Sequence, residues 1–242
     1  MNAKWSISYD WQLFVSLMNS IIVSSSREQT GRLNPFYVLE DRAKDKKLAD
    51  KVFLIFEGRR WTFKQVYETV LKYGTWLKTS FGIKHQEIVA INFMNSEKFL
   101  FMLLGLWSIG ARPAFINYNL TGKPLAHCIR VSSARLVLVD PDVANNVTDK
   151  ERAELPGIQF IVFTPQLEVE VMHTTAVREP DTERWAGKMQ DMANLIYTSG
   201  TTGLPKPAIV SWHKNIAAPL GVARWIRLKK KDVFYTVSAS CL

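Results

Sequence analysis

Residues 195–208 read Leu195-Ile196-Tyr197-Thr198-Ser199-Gly200-Thr201-Thr202-Gly203-Leu204-Pro205-Lys206-Pro207-Ala208. A short apolar run, Leu195 to Tyr197, delivers the backbone into six consecutive Ser/Thr/Gly residues followed by Leu-Pro-Lys. Gly200 and Gly203 can take positive φ and carry no side chain to hold a ligand away from the backbone. Thr198, Ser199, Thr201 and Thr202 bring hydroxyl donors beside the freed N–H groups. Lys206 adds a point charge on a turn stiffened by Pro205. Together these residue types describe a polyphosphate site. The spacing is not that of the P-loop NTPases, where the lysine follows a glycine directly and a Ser or Thr follows the lysine. Here Lys206 lies between two prolines. An ordinary polar turn is the bland alternative, and the length of the hydroxyl and glycine run argues against it.

The segments before this stretch alternate between strand and helix patterns. Phe53 to Glu57 and Arg59 to Thr62 read as a hairpin about Gly58. Thr62 with Gln65 forms a capping box, and Phe63, Val66, Tyr67, Val70, Leu71 and Leu77 then recur at helical spacing. Ile88 to Phe93 is strand-like, and Ser96 to Ile109 is an apolar helix capped by Asn95 or Ser96. Strands are further expected at 114–117, 136–139, 159–163 and 194–197, with helices at 124–131 and 143–153. This order implies an α/β fold, an open and mostly parallel sheet with helices on both faces. The phosphate segment then leaves the C-terminal end of a buried strand, where open α/β sheets bind ligands. Residues 164–191 are polar without a clear period and are expected as a long surface excursion. Beyond the motif, 209–212 reads as extended, 213–227 as a helix kinked near Pro219, and 232–238 as the start of one more strand. At the other end, a helix over 11–23 precedes a polar linker over 24–32, and a second helix opens at Asn34 to Asp41.

Composition sets outer limits. The 242 residues are 47% hydrophobic and 12% aromatic, as in a globular chain with a sizeable core. Two cysteines, Cys128 and Cys241, make neither a disulfide framework nor a metal-ligand set. Four scattered histidines form no metal pair and no catalytic triad, so no metal-ligating residue is assigned. The formal charge of +9 is spread along the chain, with short clusters at Lys44–Lys47 and Lys229–Lys231. No nucleic-acid-binding motif accompanies it, and a solvated surface accounts for it better than DNA or RNA. No run reaches the roughly 18 to 20 apolar residues of a transmembrane helix. The N-terminal helix is compatible both with lying on a membrane and with packing on the domain.

Tyr197 to Lys206 resembles the signature of the adenylate-forming superfamily, which includes acyl-CoA synthetases, luciferases and peptide-synthetase adenylation domains. Asn34-Pro-Phe-Tyr-Val-Leu-Glu-Asp-Arg42, Phe56-Glu-Gly-Arg-Arg-Trp-Thr-Phe63 and Ile209-Val-Ser-Trp212 narrow the resemblance. They look like the fatty-acid-transport-protein branch, the very-long-chain acyl-CoA synthetases, in a fungal style. Pro207 departs from the glycine usual after the motif lysine in the wider superfamily, at a position that varies within this branch.

The resemblance implies a two-step reaction. ATP and a carboxylic acid give an acyl-adenylate and pyrophosphate, and the thiolate of coenzyme A then takes the acyl group. It assigns catalytic roles to Lys206 and Thr201, and nucleotide binding to the whole run from Tyr197 to Ala208. Mg2+ is the expected counter-ion. A fatty or other carboxylic acid, ATP and coenzyme A are the expected partners, in primary or secondary metabolism.

Residues 1–33 read as an N-terminal helix and linker, for which both membrane contact and packing on the domain stay open. On this resemblance residues 34–242 form the N-terminal part of the adenylation domain, with the C-terminal lid domain absent. The second half of the machinery, including a C-terminal lid domain with its own lysine, has no counterpart in the sequence. The chain is therefore expected as a truncated portion, poorly soluble and weak in ATP binding. A catalytically inactive remnant that binds nucleotide, lipid or a partner stays open beside the ligase. The resemblance also implies a membrane-associated intracellular location, peroxisome or endoplasmic reticulum.

Overall fold

The computed structural model describes residues 4–198, 203–229 and 232–235, with backbone alone for residues 4–14. Helix α1 (Lys4–Gln29) is followed by α2 (Phe36–Lys44) and by a hairpin of β1 (Val52–Phe56) and β2 (Arg59–Thr62). Glu57 and Gly58 both take positive φ at the hairpin turn, 47° and 78°, which matches the twist of the two strands. Thr62 then caps α3 (Phe63–Phe81). Its side chain accepts from Gln65 N while the Gln65 side chain accepts from Thr62 N.

The main sheet is built from β3 (Ile88–Asn92), β4 (Arg112–Phe115), β5 (Leu136–Val139), β6 (Gln159–Val162), β7 (Met192–Thr198) and β8 (Lys206–Ser211). Their spatial order is β6-β5-β3-β4-β7-β8, with the first five parallel and β8 antiparallel to β7. Between them run α4 (Glu97–Ser108), α5 (Gly122–Ser132), α6 (Asp149–Ala153) and α7 (Pro165–His173), and α8 (Trp212–Trp225) follows β8.

Side chains alternate along each strand and so feed two cores. Val89, Ile91, Leu136 and Leu138 enter the core shared with α2, α3, α4 and α7. Ala90, Val137, Val139, Leu195 and Tyr197 enter the opposite core with α5. Helices therefore cover both faces, as the strand and helix alternation implies. On the first face α3 and α4 approach closely. A Cβ at Gly74 would lie 2.9 Å from the Gly105 carbonyl oxygen, and one at Gly105 would lie 2.9 Å from Tyr73 Cβ.

Several elements differ from the sequence reading. The polar stretch 24–32 is not a linker in its first part, because α1 continues through Gln29. Ser20 Oγ donates to the Leu17 carbonyl and Thr30 Oγ1 to that of Ser26. Buried Ser24 meets His213 Nδ1 at 3.0 Å on α8. Serines that bond back to the preceding turn are tolerated where tertiary packing holds the helix.

The helix expected over 143–153 is a 3-10 turn, Pro141–Asn146, and then α6. Thr148 breaks it by starting a new capping box with Glu151. The strand expected at 114–117 is shifted to Arg112–Phe115. The excursion 164–191 contains α7 and a 3-10 turn, Asp181–Arg184. Thr164 caps α7 by accepting from Leu167 N, Val171 is buried, and Trp76 Nε1 donates to Glu170 Oε1 at 2.9 Å.

The same segment carries a buried charge cluster. Glu40 on α2 accepts from Arg178 Nε (2.6 Å), Tyr67 Oη (2.9 Å) and Lys44 Nζ (3.0 Å), with the fully buried Arg184 guanidinium 3.6 Å away. Burial alone would raise the Glu40 pKa, yet hydrogen bonds from Arg178, Lys44 and Tyr67 hold it at about 2. Finally, α8 begins at Trp212 and runs through Pro219. Residues 232–235 form no strand, and 236–238 lie outside the described residues.

Candidate functional site

The described ends of the motif lie on two antiparallel strands, β7 and β8. Ala193 to Leu195 and Tyr197 are buried on β7, and the strand reaches the surface at Thr198. The returning strand pairs Thr198 with Lys206, Tyr197 with Pro207 and Ile196 with Ala208. Lys206 is exposed and stands opposite Thr198 at the mouth of the hairpin. Pro207 lies on β8, which pairs with no strand but β7 among the described residues. An edge strand accommodates a residue without an N–H.

Gly203 takes φ +85°, and among the described residues nothing lies within 4 Å of a Cβ built there. Leu204 is exposed and Pro205 half-buried. Ser199, Gly200, Thr201 and Thr202 lie outside the described residues, so the structure brings together the two ends of the motif and describes nothing of its centre.

Two residues that the sequence reading passed over support this hairpin. Tyr197 Oη donates to the carbonyl of Cys128 on α5 at 2.7 Å, and burial raises the tyrosine pKa well above its ordinary value. His127 Nε2 lies 3.1 Å from the Pro205 carbonyl oxygen. The Cys128 thiol is buried and its pKa is pushed up to about 11, which leaves it protonated and inert as a nucleophile at neutral pH. A lone histidine and a lone cysteine on an amphipathic helix carry no signal by themselves in a sequence.

Other polar groups end on the same edge of the sheet. Asn92, the last residue of β3, is buried and directs Nδ2 to the carbonyls of Ile116 and Asn117, each at 3.4 Å. Asp140, just past β5, accepts from Met94 N and Asp142 N. These groups knit the loops that follow β3, β4 and β5 into a platform next to the hairpin.

Exposed Lys206 beside a glycine at positive φ suits a polyphosphate, because the pair offers charge and a backbone without a side chain. Among the described residues no group of three His, Cys, Asp or Glu side chains is placed to hold a metal ion. A divalent ion at this site would come with the phosphates it neutralises.

An open, mostly parallel α/β sheet covered by helices recurs in solved CoA ligases. The solved anthranilate CoA ligase in complex with anthranoyl-AMP shares it, with a TM-score of 0.63 at 22% identity over 74% of this chain and 34% of that one. The profile described as AMP-binding enzyme matches residues 39–240, and the chain belongs to that family. It is 30% identical, over 98% of its length, to the very long-chain fatty acid transport protein of Cochliobolus heterostrophus. It is also 30% identical, over 85% of its length, to the medium/long-chain-fatty-acid–CoA ligase FadD6 of Mycobacterium tuberculosis. The chain spans 37% and 33% of the lengths of these two relatives.

Proposed function

We propose that this chain carries the nucleotide-gripping part of a fatty acyl-CoA synthetase, an acid–thiol ligase that forms AMP. The carrying observation is the β7–β8 hairpin, which presents Lys206 opposite Thr198 beside the positive-φ Gly203. In the reaction a carboxylate oxygen attacks the α-phosphorus of ATP, the bond to the bridging oxygen breaks, and pyrophosphate leaves. Coenzyme A thiolate then attacks the acyl carbon and AMP departs. Charge accumulates on the pyrophosphate oxygens as the first bond breaks, and a fixed lysine ammonium favours that state.

Lys206 is assigned this role, with Thr201 as a hydroxyl donor to the same phosphates. Tyr197 to Ala208 form the nucleotide-binding segment as a whole. Residues 34–242 are read as adenylation-domain sequence and residues 1–33 as a preceding helix and connection. A peripheral contact with a membrane at the peroxisome or endoplasmic reticulum is part of this reading. Among the described residues no helix is long and apolar enough to cross a membrane.

The test is ATP–pyrophosphate exchange with a panel of medium to very long carboxylic acids. It is run on the 242-residue chain and on any longer polypeptide that carries it. Exchange that depends on the acid supports the ligase. Binding of ATP without exchange in either form supports a non-catalytic nucleotide binder instead, and no binding at all removes both.

A further inference from the structure

Two consecutive residues of α5 hold the two strands of the phosphate hairpin. The Cys128 carbonyl receives the Tyr197 hydroxyl of β7, and His127 Nε2 meets the Pro205 carbonyl at the foot of β8. A carbonyl oxygen only accepts, so Nε2 of His127 carries the proton and donates it. Pro205 has no N–H, and this carbonyl is its one backbone polar group. On the helix itself Leu125, Ala126, Cys128 and Ile129 are buried in the second core, so α5 is a fixed platform. His127 is half-buried between them and reaches across to the hairpin. Among the described strands β8 has a neighbour on one side only. The direction of Lys206 therefore depends on its ladder pair with Thr198 and on whatever secures Pro205, the residue before it.

We infer that His127 is a positioning residue for the phosphate loop: by donating from Nε2 to the Pro205 carbonyl it fixes the start of β8 and the direction in which Lys206 is presented. This inference rests on the reading of the hairpin as a polyphosphate site. A space-filling role for the ring would be kept by leucine. A donor role would be lost with leucine or alanine and kept by glutamine, whose amide nitrogen can donate from a similar reach.

The experiment compares the wild-type chain with His127→Ala, His127→Leu and His127→Gln. Tripolyphosphate binding is followed by calorimetry and hydrogen exchange at the Lys206 amide by NMR, with thermal unfolding to show that each variant is folded. Loss of one hydrogen bond corresponds to about a three- to tenfold change. The expected result is affinity lowered and amide exchange accelerated by that factor in the Ala and Leu variants, with both restored by Gln. Unchanged affinity and exchange in the Leu variant, or equal loss in all three including Gln, overturns the inference. Faster Lys206 exchange in Ala and Leu but not Gln, from a wild type that does not bind tripolyphosphate, upholds the anchoring and overturns the polyphosphate reading alone.

Discussion

Strands β5 and β8 belong to one sheet and do opposite work. Every residue of β5, Leu136 to Val139, is completely buried and feeds a core on each face. On β8, Lys206, Pro207 and Ile209 are exposed, and the helix that follows keeps Leu220, Val222 and Trp225 in solvent. The first strand is held by burial on both sides. The second has one ladder, with the His127 contact from α5 at its foot. Stability is thus concentrated away from the hairpin, and the hairpin is free to carry groups selected for a ligand rather than for packing.

Substitutions should separate the two regions. The largest loss of stability is expected from Glu40→Ala, which removes the buried carboxylate of the cluster and leaves Arg178 and the buried Arg184 with exposed Asp181 alone. Breaking such a buried cluster costs about 3 to 5 kcal/mol, read as a shift in urea midpoint. Leu138→Ala removes a fully buried side chain from the centre of the sheet. About 2 to 5 kcal/mol should be lost, while any tripolyphosphate affinity of the folded protein stays unchanged.

Gly74→Ala forces a Cβ against the Gly105 carbonyl at 2.9 Å and should cost about 1 to 3 kcal/mol by thermal unfolding. Tyr197→Phe removes one hydrogen bond to α5 and is expected to cost about 1 kcal/mol. It should also weaken polyphosphate binding, which none of the core changes should do.

Acid adds a further separation. The folded-state pKa of Glu40 is about 2, below the ordinary 4.5, so its contribution is complete above about pH 4.5 and fades as pH falls toward 2. Urea unfolding of wild type and Glu40→Gln should differ at pH 6 and converge near pH 2. A gap that persists at pH 2 would show that the carboxylate charge is not what holds the cluster.

Local chemistry made much of this fold readable. Thr62 with Gln65 and Ser96 before Glu97 are caps whose partners lie within three residues, and both helices start where those pairs place them. The buried strand 136–139 is set by an unbroken apolar run between polar flanks. What escaped depends on distant partners. Ser24 reads as a linker residue until α8 is placed beside it. The excursion 164–191 is ordered by Trp76, Lys72 and Glu40, roughly a hundred positions away in the chain. A signal was present there, since Thr164-Pro165 is a cap followed by proline at the first helical position.

At the proposed site, Lys206 and Gly203 are singled out by the run of hydroxyls and glycines in the sequence. His127 was not, because nothing in one sequence ties a lone histidine to a carbonyl 78 residues later.

On the proposed function, β7 and β8 grip a polyphosphate through Lys206. Calorimetric titration of tripolyphosphate into the wild-type chain and into Lys206→Gln tests it most directly. Lys206 is exposed at a strand end, so the substitution should leave thermal stability within about 0.5 kcal/mol. Affinity should fall about tenfold or more, the worth of a charge-assisted contact. Equal affinity in the two proteins, or no binding by the folded wild type, would contradict the claim.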